Sequence, residues 1–223
     1  MTKEIFTSGD YVKEFKPDDK KNPFQQIYDK KKKDVLNILN VKDKDILDLG
    51  GGMGRISVPL AKKNRVVLFD LSDAMLKLAK QNNKDGRLWT IQGDADNPLP
   101  FKDNTFDIIV CLDLIVHVKK PPMMISEIHR VLRKDGTLVI DSSNKNPAWI
   151  FAYPKYTGIN PVRITKTMLA GGVLPEWQKQ VTHFSKNEFY KMLKNHFRII
   201  KKIDYGPSFA SKWNLVVAKK VDT

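Results

Sequence analysis

Hydrophobic residues recur along this chain with two different spacings. Between residues 23 and 40 they return every three or four positions, which predicts an amphipathic helix that reaches Leu39. Four consecutive lysines, residues 30–33, lie within this helix. Such a tract binds nucleic acid in some proteins, but on an amphipathic helix it is more typical of the solvated face, and we assign it there.

From residue 45 onward, short apolar runs alternate with segments of helical spacing. This alternation is typical of strands and helices wound around a mainly parallel sheet. Pro59 stands inside the first predicted helix, so this helix either holds an interior proline or begins late. The predicted strands are Asp45–Leu49, Arg65–Phe69, Leu88–Gln92, Phe106–Cys111 and Thr137–Asp141, and the predicted helices are Arg55–Lys63, Ala74–Asn82 and Met123–Arg133.

The alternation stops after the fifth strand, for about forty residues. This stretch mixes aromatic residues with proline and glycine, and loops of such length in a compact domain are usually lids or small inserted units. The pattern resumes at Ser185, which with Glu188 forms a capping box for a helix over Lys186–Asn195. Two final strands are predicted over Phe197–Tyr205 and Trp213–Lys219.

The charge of the chain is unevenly distributed. The formal net charge is +14, and residues 145–223 alone carry 14 Lys or Arg against 4 Asp or Glu. A basic segment of this kind attracts anionic partners such as RNA, acidic lipid or a phosphorylated metabolite, although scattered, solvated lysines give the same composition. We favour the second interpretation, because the lysines are spread out and arginine is scarce there.

Composition also limits the compartment and the chemistry. No apolar run reaches the roughly 20 residues that span a bilayer, and the first residues lack the apolar core of a secretion signal. Cys111 is the single cysteine, so it forms no internal disulfide and cannot build a metal site alone. We therefore expect a cytoplasmic protein without a bound metal.

The stretch ILDLGGGMGR, residues 46–55, concentrates four glycines at the end of the first predicted strand. Glycine is costly in strands and helices, so its presence here indicates a sharp turn or a close approach of the backbone to a ligand. Gly50, Gly52 and Gly54 follow one another as GxGxG. A dinucleotide fingerprint needs its third glycine where Arg55 stands, which argues against a nicotinamide-dependent oxidoreductase.

Acidic residues end three consecutive predicted strands. Asp48 precedes the glycines, where a carboxylate repels a diphosphate and suits a cationic ligand. Asp70 ends the second strand and is placed to accept hydrogen bonds from a ribose diol. Asp94 follows the third strand, where its carboxylate would accept from an adenine amino group while the N–H of Ala95 donates to the ring. Each alone is commonly a turn or cap residue, but the three together are more specific.

With these glycines and acidic residues, the sequence resembles the class I S-adenosylmethionine-dependent methyltransferases. The resemblance is to the small-molecule branch that includes the ubiquinone and menaquinone biosynthesis methyltransferases, also called methyltransferase type 11. It covers residues 45–141 closely and the C-terminal part loosely, with Asp135-Gly136 in place of the usual Pro-Gly before the fifth strand. The matching segments are DLGGGMGR at 48–55, FDLSDAML at 69–76, GDADNPLPFKDNTFDIIV at 93–110 and EIHRVLRKDGTLVI at 127–140.

The resemblance implies a cofactor and the residues that bind it. The cofactor would be S-adenosylmethionine, with S-adenosylhomocysteine as the product, and no metal would be needed. The positions that match the family's cofactor contacts are Asp48, Gly50, Gly51 and Gly52 around the methionine part, Asp70 at the ribose, Leu71, Asp94 and Ala95 at the adenine, and Cys111 and Leu112 on the floor near the sulfonium.

The element pattern and the resemblance together predict an α/β fold. We expect a Rossmann-like, seven-stranded, mostly parallel sheet with helices on both faces and the last strand antiparallel, with a substrate insertion of helices and loops before the sixth strand. A single methyltransferase domain would span residues 1–223. Its parts would be an N-terminal helical cap (1–44), the core that binds S-adenosylmethionine (45–143), a substrate lid (144–183) and a C-terminal helix with two strands (184–223).

Methyl transfer from a sulfonium depends on the alignment of the acceptor, and it needs a general base only if the acceptor arrives protonated. His117, just past the fourth strand at the same crevice, is the candidate base. The alternative is a histidine that only packs and hydrogen-bonds at the start of a helix. His183 is a second candidate, and His129, inside a predicted helix, is expected to be structural.

The acceptor is expected to contact the lid. Trp149, Tyr153, Tyr156 and Trp177 offer flat apolar surface for an aromatic or prenylated molecule, or else form a small core of the lid itself, and Arg163 would attract an anionic group. We therefore expect an enzyme (EC 2.1.1.-) that methylates a small quinone-, phenol- or lipid-like acceptor. The alternatives are an RNA methyltransferase that uses the basic C-terminal segment, and a non-catalytic protein that binds S-adenosylmethionine.

Overall fold

The computed structural model describes Thr7 and residues 25–84, 87–144, 182–205 and 213–221. Its elements follow the predicted alternation of strands and helices. The strands are β1 (Asp45–Leu49), β2 (Arg65–Asp70), β3 (Leu88–Gln92), β4 (Phe106–Cys111), β5 (Leu132–Ser143), β6 (Phe197–Tyr205) and β7 (Trp213–Lys220). The helices are α1 (Gln25–Ile38), α2 (Ser57–Ala61), α3 (Asp73–Asn82), α4 (Pro121–Val131) and α5 (Lys186–Lys194), with a 3₁₀ turn at Ile115–His117.

Within the described ranges, these seven strands form one sheet in the order β3-β2-β1-β4-β5-β7-β6. The first five strands pair in parallel, and β7 runs antiparallel to both β5 and β6. The predicted mostly parallel sheet with an antiparallel last strand is confirmed. The chain builds β1, β2 and β3 in one direction and then returns to place β4 on the other side of β1. The carboxyl ends of β1 and β4 therefore flank the crevice in which open α/β sheets bind ligands.

Helices cover both faces of the sheet, as predicted. On one face α4 and α5 pack apolar side chains such as Ile128 and Phe189 against Ile109 of β4. On the other face α1 and α2 complete a second cluster, in which Val35 packs with Ile46 of β1. Because the central strands are buried on both faces, they appear in the sequence as continuous apolar runs rather than as an alternation of apolar and polar residues.

Helix α2 begins at Ser57, two residues later than predicted. Pro59 is its third residue and lies in the first helical turn, where the N–H group that proline lacks would have no helical partner. Of the two alternatives for this proline, the late start is therefore the one that the structure shows.

The boundary between α4 and β5 also differs from the prediction. Helix α4 starts two residues early, at Pro121, because prolines at the first two positions of a helix leave no hydrogen bond unmade. Strand β5 begins at Leu132, inside the predicted helix, and its register with β4 shifts near its start. Asp135 has a φ of 58° in this shifted part. A bulge of this kind interrupts the apolar pattern, so the sequence showed the strand only from Thr137 onward.

The predicted capping box at the start of α5 is confirmed. Ser185 Oγ accepts a hydrogen bond from the Glu188 N–H, and the Glu188 carboxylate accepts one from the Ser185 N–H. Residues 145–181 of the predicted lid lie outside the described residues. Among the helices of the described part, none combines the length and the apolar composition needed to cross a bilayer.

Candidate active site

A glycine turn, residues 50–54, joins β1 to α2 at the carboxyl edge of the sheet. Gly50 and Gly52 have φ angles of 74° and 53°, which residues with side chains rarely adopt. The Gly50 N–H donates to the Phe69 carbonyl oxygen at 2.7 Å, so the turn is tied to the end of β2. A Cβ atom at Gly51 would lie 2.6 Å from Asp48 Oδ2. The turn therefore requires glycine for its conformation and for the close approach of its backbone to a carboxyl group.

Asp48 is buried beneath the glycine turn, with 2% of its surface exposed. Its carboxyl group accepts a hydrogen bond from the hydroxyl of Ser57, the first residue of α2. Burial raises the pKa of Asp48 to about 6, and the charge of Asp70 acts in the same direction. A cationic group placed beside Asp48 would therefore stabilise its ionised form. The sequence analysis did not single out Ser57, although a hydroxyl residue directly after the turn was a usable signal.

Asp70 ends β2 and is held by two backbone N–H groups. Its Oδ2 accepts from Gly52 and its Oδ1 from Ser72, each at 2.9 Å. Burial raises the pKa of Asp70, and these backbone hydrogen bonds oppose the increase. Asp70 is half buried, and its carboxylate is held in one orientation, as an acceptor for a ribose diol must be. Leu71, which follows it, is half buried.

Asp94 and Ala95 lie just past the end of β3, next to this carboxylate. The Gly93 N–H donates to the Asp70 carbonyl oxygen at 3.0 Å and so ties the ends of β2 and β3 together. Asp94 Oδ1 accepts from the Asp96 N–H at 2.9 Å, which closes a local turn. Ala95 is 9% exposed. The three predicted carboxylates therefore lie at the carboxyl ends of three adjacent strands, around one turn.

Cys111 and Leu112 lie at the end of β4, on the other side of β1. Cys111 is completely buried. Burial raises the pKa of its thiol well above the ordinary value, and the charges of Asp141, Asp48 and Asp113 add to the increase. The thiol is therefore a poor nucleophile. Leu112 is half buried, and the contact of these two residues with a cofactor stays a prediction.

Part of the chain is similar to a known protein family. Residues 47–140, which contain the glycine turn and the three carboxylates, match the family model described as a methyltransferase domain. This part of the chain is therefore similar to methyltransferase domains.

Two curated proteins that are similar to this chain carry quinone biosynthesis in their names. The ubiquinone biosynthesis O-methyltransferase of Coxiella burnetii is 30% identical over 132 residues, which cover 58% of this chain and 56% of that protein. The ubiquinone/menaquinone biosynthesis C-methyltransferase of Teredinibacter turnerae is 33% identical over 118 residues, which cover 49% of this chain and 47% of that protein. The chain thus spans about half the length of the curated relatives it matches.

A solved methyltransferase has the same overall architecture. The crystal structure of magnesium protoporphyrin IX methyltransferase from Synechocystis, with bound SAH, superposes with a TM-score of 0.70. The match covers 98% of this chain and 97% of that one at 19% sequence identity. At this identity the likeness shows a shared fold and nothing finer.

The structure also contains a charged cluster that the sequence analysis missed, formed by Lys31, Asp113 and Asp141. Lys31 Nζ lies 2.6 Å from Asp113 Oδ2 and 2.6 Å from Asp141 Oδ2. Burial alone would lower the pKa of Lys31, but the charges and hydrogen bonds of the two carboxylates raise it above its ordinary value. Lys31 is only 3% exposed, so the assignment of the whole lysine tract to the solvated face is wrong at this position.

His117 and His183, the two candidate bases, come together beside the charged cluster. Burial lowers the pKa of His117, the charge of Asp113 opposes this change, and the charge of His183 adds to it. Ser143 Oγ lies 2.8 Å from His183 Nδ1, and the Thr182 N–H donates to a carbonyl oxygen of the 3₁₀ turn at 2.8 Å. The last two residues of the predicted lid, Thr182 and His183, are therefore docked at the carboxyl ends of β4 and β5.

The other predicted residues lie apart from this edge or outside the described ranges. His129 is on α4, where its Nε2 lies 2.9 Å from the carbonyl oxygen of Val221, in keeping with a structural role. Across the described residues, no group of three or more His, Cys, Asp or Glu is arranged to hold a metal ion. The predicted substrate residues, all outside the described residues, are Trp149, Tyr153, Tyr156, Arg163 and Trp177.

Proposed function

We propose that this chain is an S-adenosylmethionine-dependent methyltransferase that acts on a small quinone-, phenol- or lipid-like acceptor. The observation that carries the proposal is the placement of Asp48, Asp70 and Asp94 at the ends of three adjacent strands, around one glycine turn. The names of the two curated relatives support a small-molecule acceptor and leave both oxygen and carbon as candidate acceptor atoms.

The described residues fit S-adenosylmethionine. The buried carboxyl group of Asp48 suits the ammonium of an amino acid, and the fixed carboxylate of Asp70 suits a pair of hydroxyls. No atom of the described residues lies within 4 Å of a Cβ placed on Gly52, so this part of the structure leaves open space beside the turn. When bound, S-adenosylmethionine supplies an electrophilic methyl carbon. We propose that the residues that hold it are Asp48, Gly50, Gly51, Gly52, Asp70, Leu71, Asp94, Ala95, Cys111 and Leu112.

In the reaction, the protein's own residues orient the acceptor, exclude water and accept a proton. Correct orientation lowers a barrier by about 7–11 kcal/mol in favourable cases. We propose that residues 144–183 cover the acceptor and that His117 takes its proton when it arrives as a hydroxyl. Because burial lowers the pKa of His117, this side chain is neutral near pH 7 and able to accept a proton.

Calorimetric titration with S-adenosylhomocysteine tests this proposal, with NAD titrated in parallel. We expect the first ligand to bind and the second not to bind. Asp70→Ala should weaken binding by at least tenfold, because a hydrogen bond to a charged group contributes about 1.5–3 kcal/mol. Asp73→Ala is the matched control, since Asp73 is exposed on α3 and pairs with Lys77 at the surface. A folded protein that does not bind S-adenosylhomocysteine would refute the proposal.

RNA is the alternative acceptor, because exposed basic residues occur on β6. Arg198, Lys201 and Lys202 belong to this strand and are exposed. Strands β4, β5 and β7 separate it from β1, so four spacings of about 4.8 Å place it about 19 Å away. These described basic residues therefore lie away from the proposed cofactor site, which favours a small acceptor. RNA binding that decreases steeply between about 50 and about 200 mM salt would favour RNA instead.

A further inference from the structure

The charged cluster holds one cation between two carboxylates and leaves one of these open. The side chains of Lys31 and Asp141 are 4% and 0% exposed, whereas that of Asp113 is 39% exposed. Lys31 bonds Asp113 through Oδ2, and no described residue donates a hydrogen bond to its second oxygen, Oδ1. A purely structural ion pair would need Lys31 and one buried carboxylate, so Asp113 is the member that requires an explanation.

Asp113 is fixed from two sides. Its side chain is bonded to Lys31, and its N–H donates to Asp141 Oδ1 at 2.6 Å. Its φ of 56° is uncommon for a residue with a side chain. The rings of Tyr28 and Trp213 lie 5.2 and 5.5 Å from Lys31 Nζ and limit the access of water to it. The structure therefore places the carboxylate of Asp113 in one position and keeps its counterion in place.

The position of Asp113 is next to the proposed cofactor site. It follows β4, whose residue Val110 pairs with Asp48 of β1. The next residue along, Leu114, packs on the glycine turn, since a Cβ at Gly50 would lie 3.0 Å from Leu114 Cβ. The charge of Asp113 also acts on His117, which places the two groups near each other. Asp113 Oδ1 is thus an open acceptor on the side of the crevice away from β2 and β3.

We propose that Asp113 is a catalytic residue that binds a hydroxyl group of the acceptor through Oδ1, and that Lys31 is the residue that positions it. This inference rests on the proposed function and deepens it, because it assigns the acceptor to hydroxyl compounds of the phenol or quinol class. Asp113 Oδ1 accepts a hydrogen bond from the acceptor hydroxyl and orients its oxygen, and His117 takes the hydroxyl proton. The hydroxyl oxygen forms the bond to the methyl carbon, and the electron pair of the broken carbon–sulfur bond stays on sulfur. Lys31 balances Asp141, so the cluster keeps one negative charge, which strengthens the hydrogen bond that Asp113 accepts.

The experiment compares two probes on protein saturated with S-adenosylhomocysteine. Catechol offers two hydroxyl donors, and 1,2-dimethoxybenzene has the same ring without them. We expect calorimetry to show that the wild-type protein binds catechol at least about tenfold more tightly, as one hydrogen bond to a charged acceptor provides. Asp113→Asn and Lys31→Met should abolish this preference. An asparagine still accepts from Lys31, but it presents an N–H₂ group, which cannot accept a hydrogen bond, to the acceptor.

Lys33→Met is the matched control, because Lys33 lies on the same helix and is exposed. It should keep the preference for catechol. A purely structural loss in a variant would weaken both probes equally and would leave the preference unchanged, which separates positioning from folding. Thermal unfolding and S-adenosylhomocysteine affinity are measured for each variant, and Asp113→Asn alone decides if Lys31→Met fails to fold.

The possible failures of the two proposals are distinct. If the wild-type protein does not bind S-adenosylhomocysteine, the proposed function itself is refuted. If it binds S-adenosylhomocysteine but prefers neither probe, or if Asp113→Asn keeps the preference, the role of Asp113 is refuted and the proposed function stands.

Discussion

Asp48 shows at the scale of one residue how the fold prepares the glycine turn for a cationic ligand. Loss of water around this carboxyl group is the main reason that its pKa increases to about 6. A bound ammonium would favour the ionised form, so proton binding and ligand binding at Asp48 oppose each other. In the free protein, the effect of pH on folding stability has the opposite direction. Because the pKa of Asp48 in the folded protein lies above its ordinary value, this group favours folding as the pH decreases through about 6.

We therefore expect the affinity for S-adenosylhomocysteine to decrease as the pH falls below about 6, by up to about tenfold per pH unit. Calorimetry from about pH 8 to about pH 5 measures this change. Asp48→Asn should bind weakly over the whole range and lack this decrease. Asp70, whose pKa burial also raises, is present in both proteins and so does not produce the difference between them. A wild-type affinity that stays constant down to about pH 5 would contradict this role of Asp48.

The neighbouring glycines differ in what a methyl group would do. A Cβ at Gly51 would lie 2.6 Å from Asp48 Oδ2 and 3.0 Å from Leu68 Cγ, whereas one at Gly52 would meet no atom within 4 Å among the residues that the structure describes. Gly51→Ala should therefore lower the free energy of unfolding by about 1–3 kcal/mol, as overpacking does. Gly52→Ala should cost about 1–2 kcal/mol from its left-handed φ alone, and it should weaken S-adenosylhomocysteine binding by filling the open space. Urea unfolding and calorimetry on both variants check these outcomes, and equal behaviour of the two would contradict them.

Single site residues could be predicted from the sequence where a polar residue stands at the end of a predicted strand. Asp48, Asp70 and Asp94 could be found because each comes just after an apolar run, and the ends of parallel strands share one edge. Lys31 could not be paired in this way, since its partner Asp141 lies 110 positions further along the chain. One part of the signal was present, because four consecutive helical residues spread over about 300° of the helix, so one lysine had to face the domain.

Elements were predictable where a local hydrogen bond defines their ends. The capping box of Ser185 and Glu188 fixed the start of α5, because both of its hydrogen bonds lie within four consecutive residues. The start of β5 was not predictable, since its first pairs depend on the register with β4 and not on its own sequence. Helix α4 begins two residues before its predicted start. Proline interrupts a helix at interior positions, but it is tolerated in the first turn.

The cap of α5 gives a prediction at the scale of an element. Ser185→Ala removes the side-chain acceptor for the Glu188 N–H, and it should lower the free energy of unfolding by about 1 kcal/mol. Asn187→Ala is the matched control, because Asn187 is an exposed residue inside α5, where alanine favours the helix. Urea unfolding followed by circular dichroism measures both. A loss of stability in the control as large as that in Ser185→Ala would mean that the cap contributes nothing specific.

At the scale of the whole molecule, the sheet could be predicted from the sequence, but the lid that would cover the acceptor could not. Alternating apolar runs and helical segments define a parallel α/β sheet, because each crossover must return to the same edge. The antiparallel last strand and the helices on both faces, which the element pattern and the resemblance together predicted, are also confirmed. The division into cap, core and lid stays a prediction. Residues 145–181 show no sustained period, and without a period the sequence does not define which side chains face the acceptor.

The charge distribution gives a prediction for the molecule as a whole. If the acceptor is small, the basic edge formed by Arg198 and Lys201 on β6 has no part in cofactor binding. Its distance of about 19 Å from β1 exceeds the Debye length of about 8 Å at physiological salt, so its charges are screened. The double variant Arg198→Glu, Lys201→Glu should therefore bind S-adenosylhomocysteine within about twofold of the wild type at 0.15 M salt. Calorimetry on the double variant, with Asp70→Ala as the positive control, measures the effect. A loss as large as that of Asp70→Ala would mean that the basic edge acts on the cofactor site, and it would bring RNA back as the leading acceptor.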